Sequence, residues 1–141
     1  MKYLMFILLI DLSFIDCHGE LSSLGDGYIY DRHYKYISVK AQPGVWTGVI
    51  PGEIKRYGAD DAYITALQVP DSLCLYEWDT KSSSSLFTYK SDYPMRRRLM
   101  QTGPCYWVID KKANVVYGPM RRKAYRRLCD SLRIDVPLQY K

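Results

Sequence analysis

Residues 33–41 read His-Tyr-Lys-Tyr-Ile-Ser-Val-Lys-Ala, with Tyr34, Tyr36 and Ser38 on one side and Lys35, Ile37 and Val39 on the other. A period of two over that length predicts a half-buried β-strand. Gln42-Pro43-Gly44 places proline and glycine where a type II turn takes them, so residues 45–50 are expected to return as a hairpin partner. Upstream, Gly25-Asp26-Gly27 turns into a short aromatic strand at residues 28–30. Pro51-Gly52 ends the hairpin, and residues 53–58 read as a connector. Residues 62–69, Ala-Tyr-Ile-Thr-Ala-Leu-Gln-Val, have the composition of a strand. Further strands are expected at residues 74–78 and 86–90. Between them, residues 80–85 (Thr-Lys-Ser-Ser-Ser-Ser) form a polar loop. Arg96, Arg97 and Arg98 read as loop or one helical turn. Residues 105–110, Cys-Tyr-Trp-Val-Ile-Asp, carry a strong strand signal, and Lys111 to Asn114 turn them back into residues 115–117.

A different period closes the chain. Met120, Ala124, Tyr125, Leu128, Cys129 and Leu132 recur at spacings of three and four, the stripe of an amphipathic helix. Arg121, Arg122, Lys123, Arg126, Arg127 and Asp130 take the other side. Gly118-Pro119 is expected to open this helix, because proline at the first helical position loses no needed hydrogen bond. An apolar helical stripe must be covered, and the sheet is the available cover. The predicted class is therefore α+β: a twisted antiparallel sheet of five to seven strands with a C-terminal amphipathic helix packed on one face. Trp107 and Ile109 are expected to meet Met120, Ala124, Leu128 and Leu132, with Cys129 turned inward.

The first 19 residues follow neither pattern. Lys2 precedes an apolar run from Leu4 to Ile15, 12 residues interrupted by Asp11. That is a signal-peptide length, spanning about 18 Å as a helix against a bilayer core of roughly 30 Å. Residues 1–19 are therefore expected to be a leader and residues 20–141 a single domain. Two cleavage positions fit. Phe14-Ile15-Asp16-Cys17 matches a lipoprotein box except at Asp16, which would make Cys17 the lipidated N-terminus. Ordinary cleavage after Gly19, with Cys17 and Gly19 as the small residues, fits as well. Either way the chain is expected in the cell envelope, membrane-anchored in the first case and periplasmic or secreted in the second.

Candidate chemistry changes this picture little. Apolar residues at 48% and charged residues at 25% exclude disordered and low-complexity classes. Cys74, Cys105 and Cys129 remain beyond the leader. One disulfide with a free thiol and three buried thiols both satisfy an odd count. No C-x-x-C pair occurs, and with only His18 and His33 no metal site and no cofactor are expected. Asp60 and Asp61 are adjacent, so a strand would point them apart. Glu77 and Asp79 read as a solvated strand face. Ser82 to Ser85 sit in the polar loop with no activating base, and no G-x-S-x-G is present. No catalytic residue is assigned, and the chain is not expected to be an enzyme.

Charge is more informative. Net charge is +5, but residues 95–141 alone carry +9 and residues 18–94 carry −3. In the final helix Arg122–Arg126 and Lys123–Arg127 are like-charge pairs four apart, each costing about a few tenths of a kcal/mol. Arg121, Arg122 and Lys123 crowd the first turn, where the helix dipole favours acids. Such breaks in local rules mark a binding face. Arg96, Arg97, Arg98, Arg121, Arg122, Lys123, Arg126 and Arg127 are the candidate contacts for an anionic partner. Anionic lipid head groups, an acidic envelope protein and an acidic polymer all qualify in an exported protein. Nucleic acid is not expected behind a leader.

The segments Tyr106-Trp107-Val108-Ile109-Asp110-Lys111-Lys112, Val116-Tyr117-Gly118-Pro119 and a helix ending near Leu132-Arg133-Ile134 carry a resemblance. They are similar to the C-terminal half of a family of small uncharacterised bacterial envelope lipoproteins, with a Y-W-I-I-D-K strand, a Y-G-P step and a final helix. Ile50-Pro51 through Tyr57 to Asp60-Asp61-Ala62-Tyr63-Ile64 resembles their middle region. The resemblance implies an envelope address and this shape, and no activity. Two functional readings follow: a binding module presenting a basic helix, or an inhibitor or toxin-immunity protein of the envelope.

Overall fold

The computed structural model describes residues 21–72, 86–90 and 93–139. Strands β1 (Leu21–Gly25), β2 (Tyr28–Asp31), β3 (Tyr36–Gln42) and β4 (Val45–Ile50) pair in that order as an antiparallel meander. Strands β5 (Ile54–Ala59), β6 (Tyr63–Gln68), β7 (Thr88–Tyr89), β8 (Cys105–Asp110) and β9 (Val115–Met120) form a second sheet, in the order β5-β6-β8-β9-β7. The short β7 runs parallel to β9, and the other pairings are antiparallel. Helix α1 (Tyr93–Gln101) lies between β7 and β8 in sequence, and α2 (Arg122–Leu132) follows β9. The class is α+β, with the described strands shared between two sheets. β1 and β5 form where the residue pattern predicts no strand, β5 in place of the expected connector at 53–58. The segment around Arg96 to Arg98 is a full helix. The expected strand at 74–78 lies outside the described residues.

The sheets meet face to face. Register puts Tyr28 opposite Val39 and Tyr30 opposite Ile37, so these side chains share the inner face of the first sheet. Ile64, Ala66 and Gln68 on β6 lie opposite Ile109, Trp107 and Cys105 on β8, one inner face of the second. Tyr28, Tyr30, Ile37, Val49 and Ile50 join Ile54, Tyr57, Ile64, Trp107, Ile109 and Val116 in one core. The rings of Tyr30 and Tyr57 are 4.3 Å apart across it. Burying each such side chain contributes roughly 1.5–3 kcal/mol.

Polar groups pin the interface. Trp107 Nε1 donates to Gln68 Oε1 at 2.8 Å, and Gln68 Nε2 donates to the carbonyls of Pro51 and Gly52 at 2.9 and 3.0 Å. Tyr89 Oη donates to Val49 O at 3.0 Å. Lys111 is buried and donates through Nζ to Leu24 O at 2.9 Å, with Asp26 Oδ2 at 3.7 Å. Gly25 makes room for that ammonium, since a Cβ there would lie 2.8 Å from it, at a φ of +82°.

Two expectations about the last third are corrected. Gly118-Pro119 belongs to β9 and does not open the helix, which starts at Arg122. Gly118, at φ +132°, lets the strand press on β8. A Cβ there would come within 2.8 Å of Tyr106 O and 3.0 Å of the Trp107 ring. Trp107 and Ile109 do not meet α2 but face the first sheet. The alternate residue Tyr106 points the other way and stacks on Tyr125 of α2, ring centroids 4.9 Å apart. Ala124, expected in the apolar stripe, is exposed.

Candidate functional site

Helix α2 is built from residues that tolerate a helix well, yet its start breaks the usual pattern. Arg121 is the N-cap and makes no side-chain cap hydrogen bond, and the first turn holds no acid. Its end is conventional: Arg133 takes the left-handed conformation at φ +53°, and Ile134 N donates to Cys129 O at 2.9 Å. No residue of α2 is fully buried. The helix holds the outer face of the second sheet through half-buried Tyr125, Leu128, Cys129 and Leu132.

Tyr125 anchors this contact. Beyond the stack on Tyr106, its hydroxyl hydrogen-bonds with Thr65 and Cys129. Burial, reinforced by Cys129, pushes its pKa up to about 12. Burial likewise raises the Cys129 thiol. The chain beyond α2 recrosses the same face. Thr65 Oγ1 donates to Val136 O at 3.4 Å, and Gln139 pairs with Tyr57 on the edge of β5. Gly58 is the close-approach point there, because a Cβ would collide with the Pro137 carbonyl.

The eight predicted basic residues separate into three groups. Arg121 is consumed by structure. Its guanidinium donates to Pro104 O at 2.7 Å, to Leu99 O at 3.1 Å and to Thr102 Oγ1, and contacts Cys105 Sγ at 3.9 Å. It clamps the end of α1 to the start of α2 and satisfies carbonyls that a helix terminus leaves open. Burial pushes the Cys105 thiol up to about 11, with Arg121 pulling the other way. Arg96 is half-buried, its guanidinium 5.1 Å from the Tyr89 ring centroid. Arg97 and Arg98 are exposed on α1, and the clamp sets Arg98 beside the α1–α2 junction.

Arg122, Lys123, Arg126 and Arg127 form the third group. All four are exposed on α2, and none makes an ion pair with a carboxylate among the described residues. This is the part of the structure best arranged to receive an anion. The role of Arg121 was missed because it depends on α1 ending where α2 begins, a proximity with no local signature.

The acids have other tasks. Asp60 Oδ1 accepts from Ala62 N at 2.8 Å and Tyr63 N at 2.7 Å, and Asp110 Oδ1 accepts from Lys112 N and Ala113 N at 3.1 and 2.9 Å. Both shape turns. Among the described residues no three His, Cys, Asp or Glu side chains gather as a metal site, and no helix is long and apolar enough to cross a membrane. Cys105 and Cys129 are free thiols. Cys17, the apolar run 4–15, Cys74, Glu77, Asp79 and Ser82 to Ser85 lie outside the described residues.

No curated protein and no solved structure matches the chain. A sequence match to the family described as Protein of unknown function (DUF3997) extends over residues 26–141, covering every described element from β2 to α2, the clamp and the basic helix included. The chain belongs to that family.

Proposed function

We propose that this protein is an exported, membrane-anchored lipoprotein that acts as an interaction module, presenting α2 to an anionic partner in the cell envelope. One observation carries the reading: Arg122, Lys123, Arg126 and Arg127 stand exposed and, among the described residues, unpaired by carboxylates on a helix that buries no residue fully. Like charges at that spacing cost helix stability, so a surface that keeps them has a use for them. The second sheet, held by its inner face, is a stiff mount. Lys2, the apolar run 4–15 and Cys17 support the address.

The test is a crosslinked pull-down from envelope fractions with the full chain and with the variant carrying Arg122→Gln, Lys123→Gln, Arg126→Gln and Arg127→Gln. Capture is expected to fall steeply between low and physiological salt, because exposed charges are screened beyond about 8–10 Å. The variant is expected to fold and to lose the capture. Equal, salt-insensitive capture by both chains would refute the reading.

A further inference from the structure

The molecule has a second unusual surface on the side opposite α2. In the first sheet Tyr28, Tyr30 and Ile37 point into the core, so the alternate residues point out. Leu21 and Tyr36, both opposite Asp31, form one outward row, and Trp46, opposite Lys40, forms another. Tyr34 joins them from the β2–β3 turn, its ring stacked on Tyr36 at 5.8 Å. Tyr34 is 63% exposed, Trp46 45% and Leu21 41%, and Tyr36 is half-buried. Among the described residues neither helix lies across this face, since α1 packs on β9 and α2 on β8. Scattered single apolar residues on a surface need no explanation, but a sheet face carrying Leu21, Trp46 and the stacked Tyr34 and Tyr36 does.

We infer that this outer face of the first sheet, carrying Leu21, Tyr34, Tyr36 and Trp46, rests on the lipid bilayer, and that α2 therefore faces away from the membrane toward a non-lipid anionic partner. Three observations select a bilayer over a protein. The composition is interfacial: tryptophan and tyrosine combine an apolar body with a polar edge, as the head-group region requires. Exposed Lys40 lies directly opposite Trp46 on this face. Lysine is depleted from protein interfaces but extends readily to lipid phosphates while its stem stays apolar. The third observation is where the chain enters. β1 starts on this face at Leu21, four residues after Cys17, a span of about 14 Å at full extension. An acyl group on Cys17 brings the membrane to this side of the molecule.

The inference rests on the envelope reading only for that tether. It also narrows the partner of α2. The two sheets stand between the aromatic face and the basic helix, so one flat bilayer cannot serve both.

The test uses the full chain recovered from cell envelopes, bound to phosphatidylcholine vesicles with brominated acyl chains. Tryptophan emission is expected to be quenched, and with Trp78→Phe in both chains the Trp46→Phe change is expected to abolish the quenching, since Trp107, the remaining tryptophan, is fully buried in the core. The double variant Tyr34→Ser, Trp46→Ser is expected to partition onto these vesicles roughly tenfold or more weakly. The four-glutamine variant of α2 is expected to be quenched like the parent. Quenching that is absent, or equal in Trp46→Phe and parent, overturns the proposal. So does quenching that requires anionic phosphatidylglycerol and disappears in the four-glutamine variant, which would turn α2 to the membrane. A dimer in sedimentation that the double variant abolishes also overturns it, making a second copy the occupant. Intact mass of the same preparation separates the two readings: an unacylated chain whose Trp46 is still quenched removes the tether and keeps the face.

Discussion

On β8, Cys105, Trp107 and Ile109 are fully buried against the first sheet, while Tyr106, one residue away, is only half-buried beneath Tyr125 of a helix that has no buried residue. A single strand thus supports two different kinds of packing. Inward, large side chains from both sheets interlock around the Trp107–Gln68 hydrogen bond. Outward, Val108 is fully buried as well, but α2 itself is held by one aromatic stack and a few half-buried residues, and the recrossing C-terminal segment ties down the same face. The difference implies a division of labour. The inner face fixes the fold, so the outer helix is free to carry four exposed cations whose mutual repulsion the core easily outweighs.

The contrast breaks most sharply at Trp107. Trp107→Ala removes a large, fully buried side chain and leaves Gln68 Oε1 without its indole donor. The expected loss is about 3–5 kcal/mol in urea melts. A loss below about 1 kcal/mol would mean that the inner face is not the core.

Alkaline pH probes both faces together. Burial pushes Tyr28 and Tyr89 to about 12 and Cys105 to about 11 on the inner side, and Tyr125 to about 12 on the outer. These folded values exceed the unfolded ones near 10 for tyrosine and near 9 for cysteine. Above pH 9 the unfolded chain therefore loses protons first. The stabilisation is complete below pH 9 and is lost as pH rises through the folded values. Stability measured from pH 8 to 12 should fall throughout the upper part of that range. Tyr28→Phe sharpens the result, because the Tyr28 hydroxyl is buried without a hydrogen-bond partner among the described residues. Its removal should leave neutral-pH stability unchanged or higher and flatten the alkaline loss. A steeper loss in that variant would contradict the assignment.

The two faces also explain what could be read from residues alone. The three-four stripe located α2, alternation located β3, and strand-forming composition located β6 and β8. It did not reveal which side of β8 meets the helix, because Tyr106, Trp107, Val108 and Ile109 are apolar in succession. A strand covered on both sides carries no inside-outside code. β5 escaped because Tyr57 and Gly58 are both buried, the glycine by Pro137 almost eighty residues on. Gly118-Pro119 followed a sound local rule for helix starts, but close contact with the Trp107 ring placed it in a strand instead. At the site, the exposed cations of α2 were legible from spacing and charge. Arg121 was not separable from them, since its partners Leu99, Thr102 and Pro104 arrive from another element.

The smallest effect is expected where the sequence promised a large one. A stripe residue in a docked amphipathic helix would lose about 2–5 kcal/mol on truncation if it were core. Leu128 is only half-buried, and Trp107 and Ile109, its expected mates, face the opposite way. Leu128→Ala removes less apolar area and leaves a gap open to solvent, so no closed cavity forms. The expected cost is about 1 kcal/mol, a small fraction of the Trp107→Ala effect. Tyr125 should hold the helix in place in that variant, leaving its helical signal unchanged below the melt. A loss as large as that of Trp107→Ala would show that α2 belongs to the core after all, and its cations would then be fixed by the fold rather than by a partner.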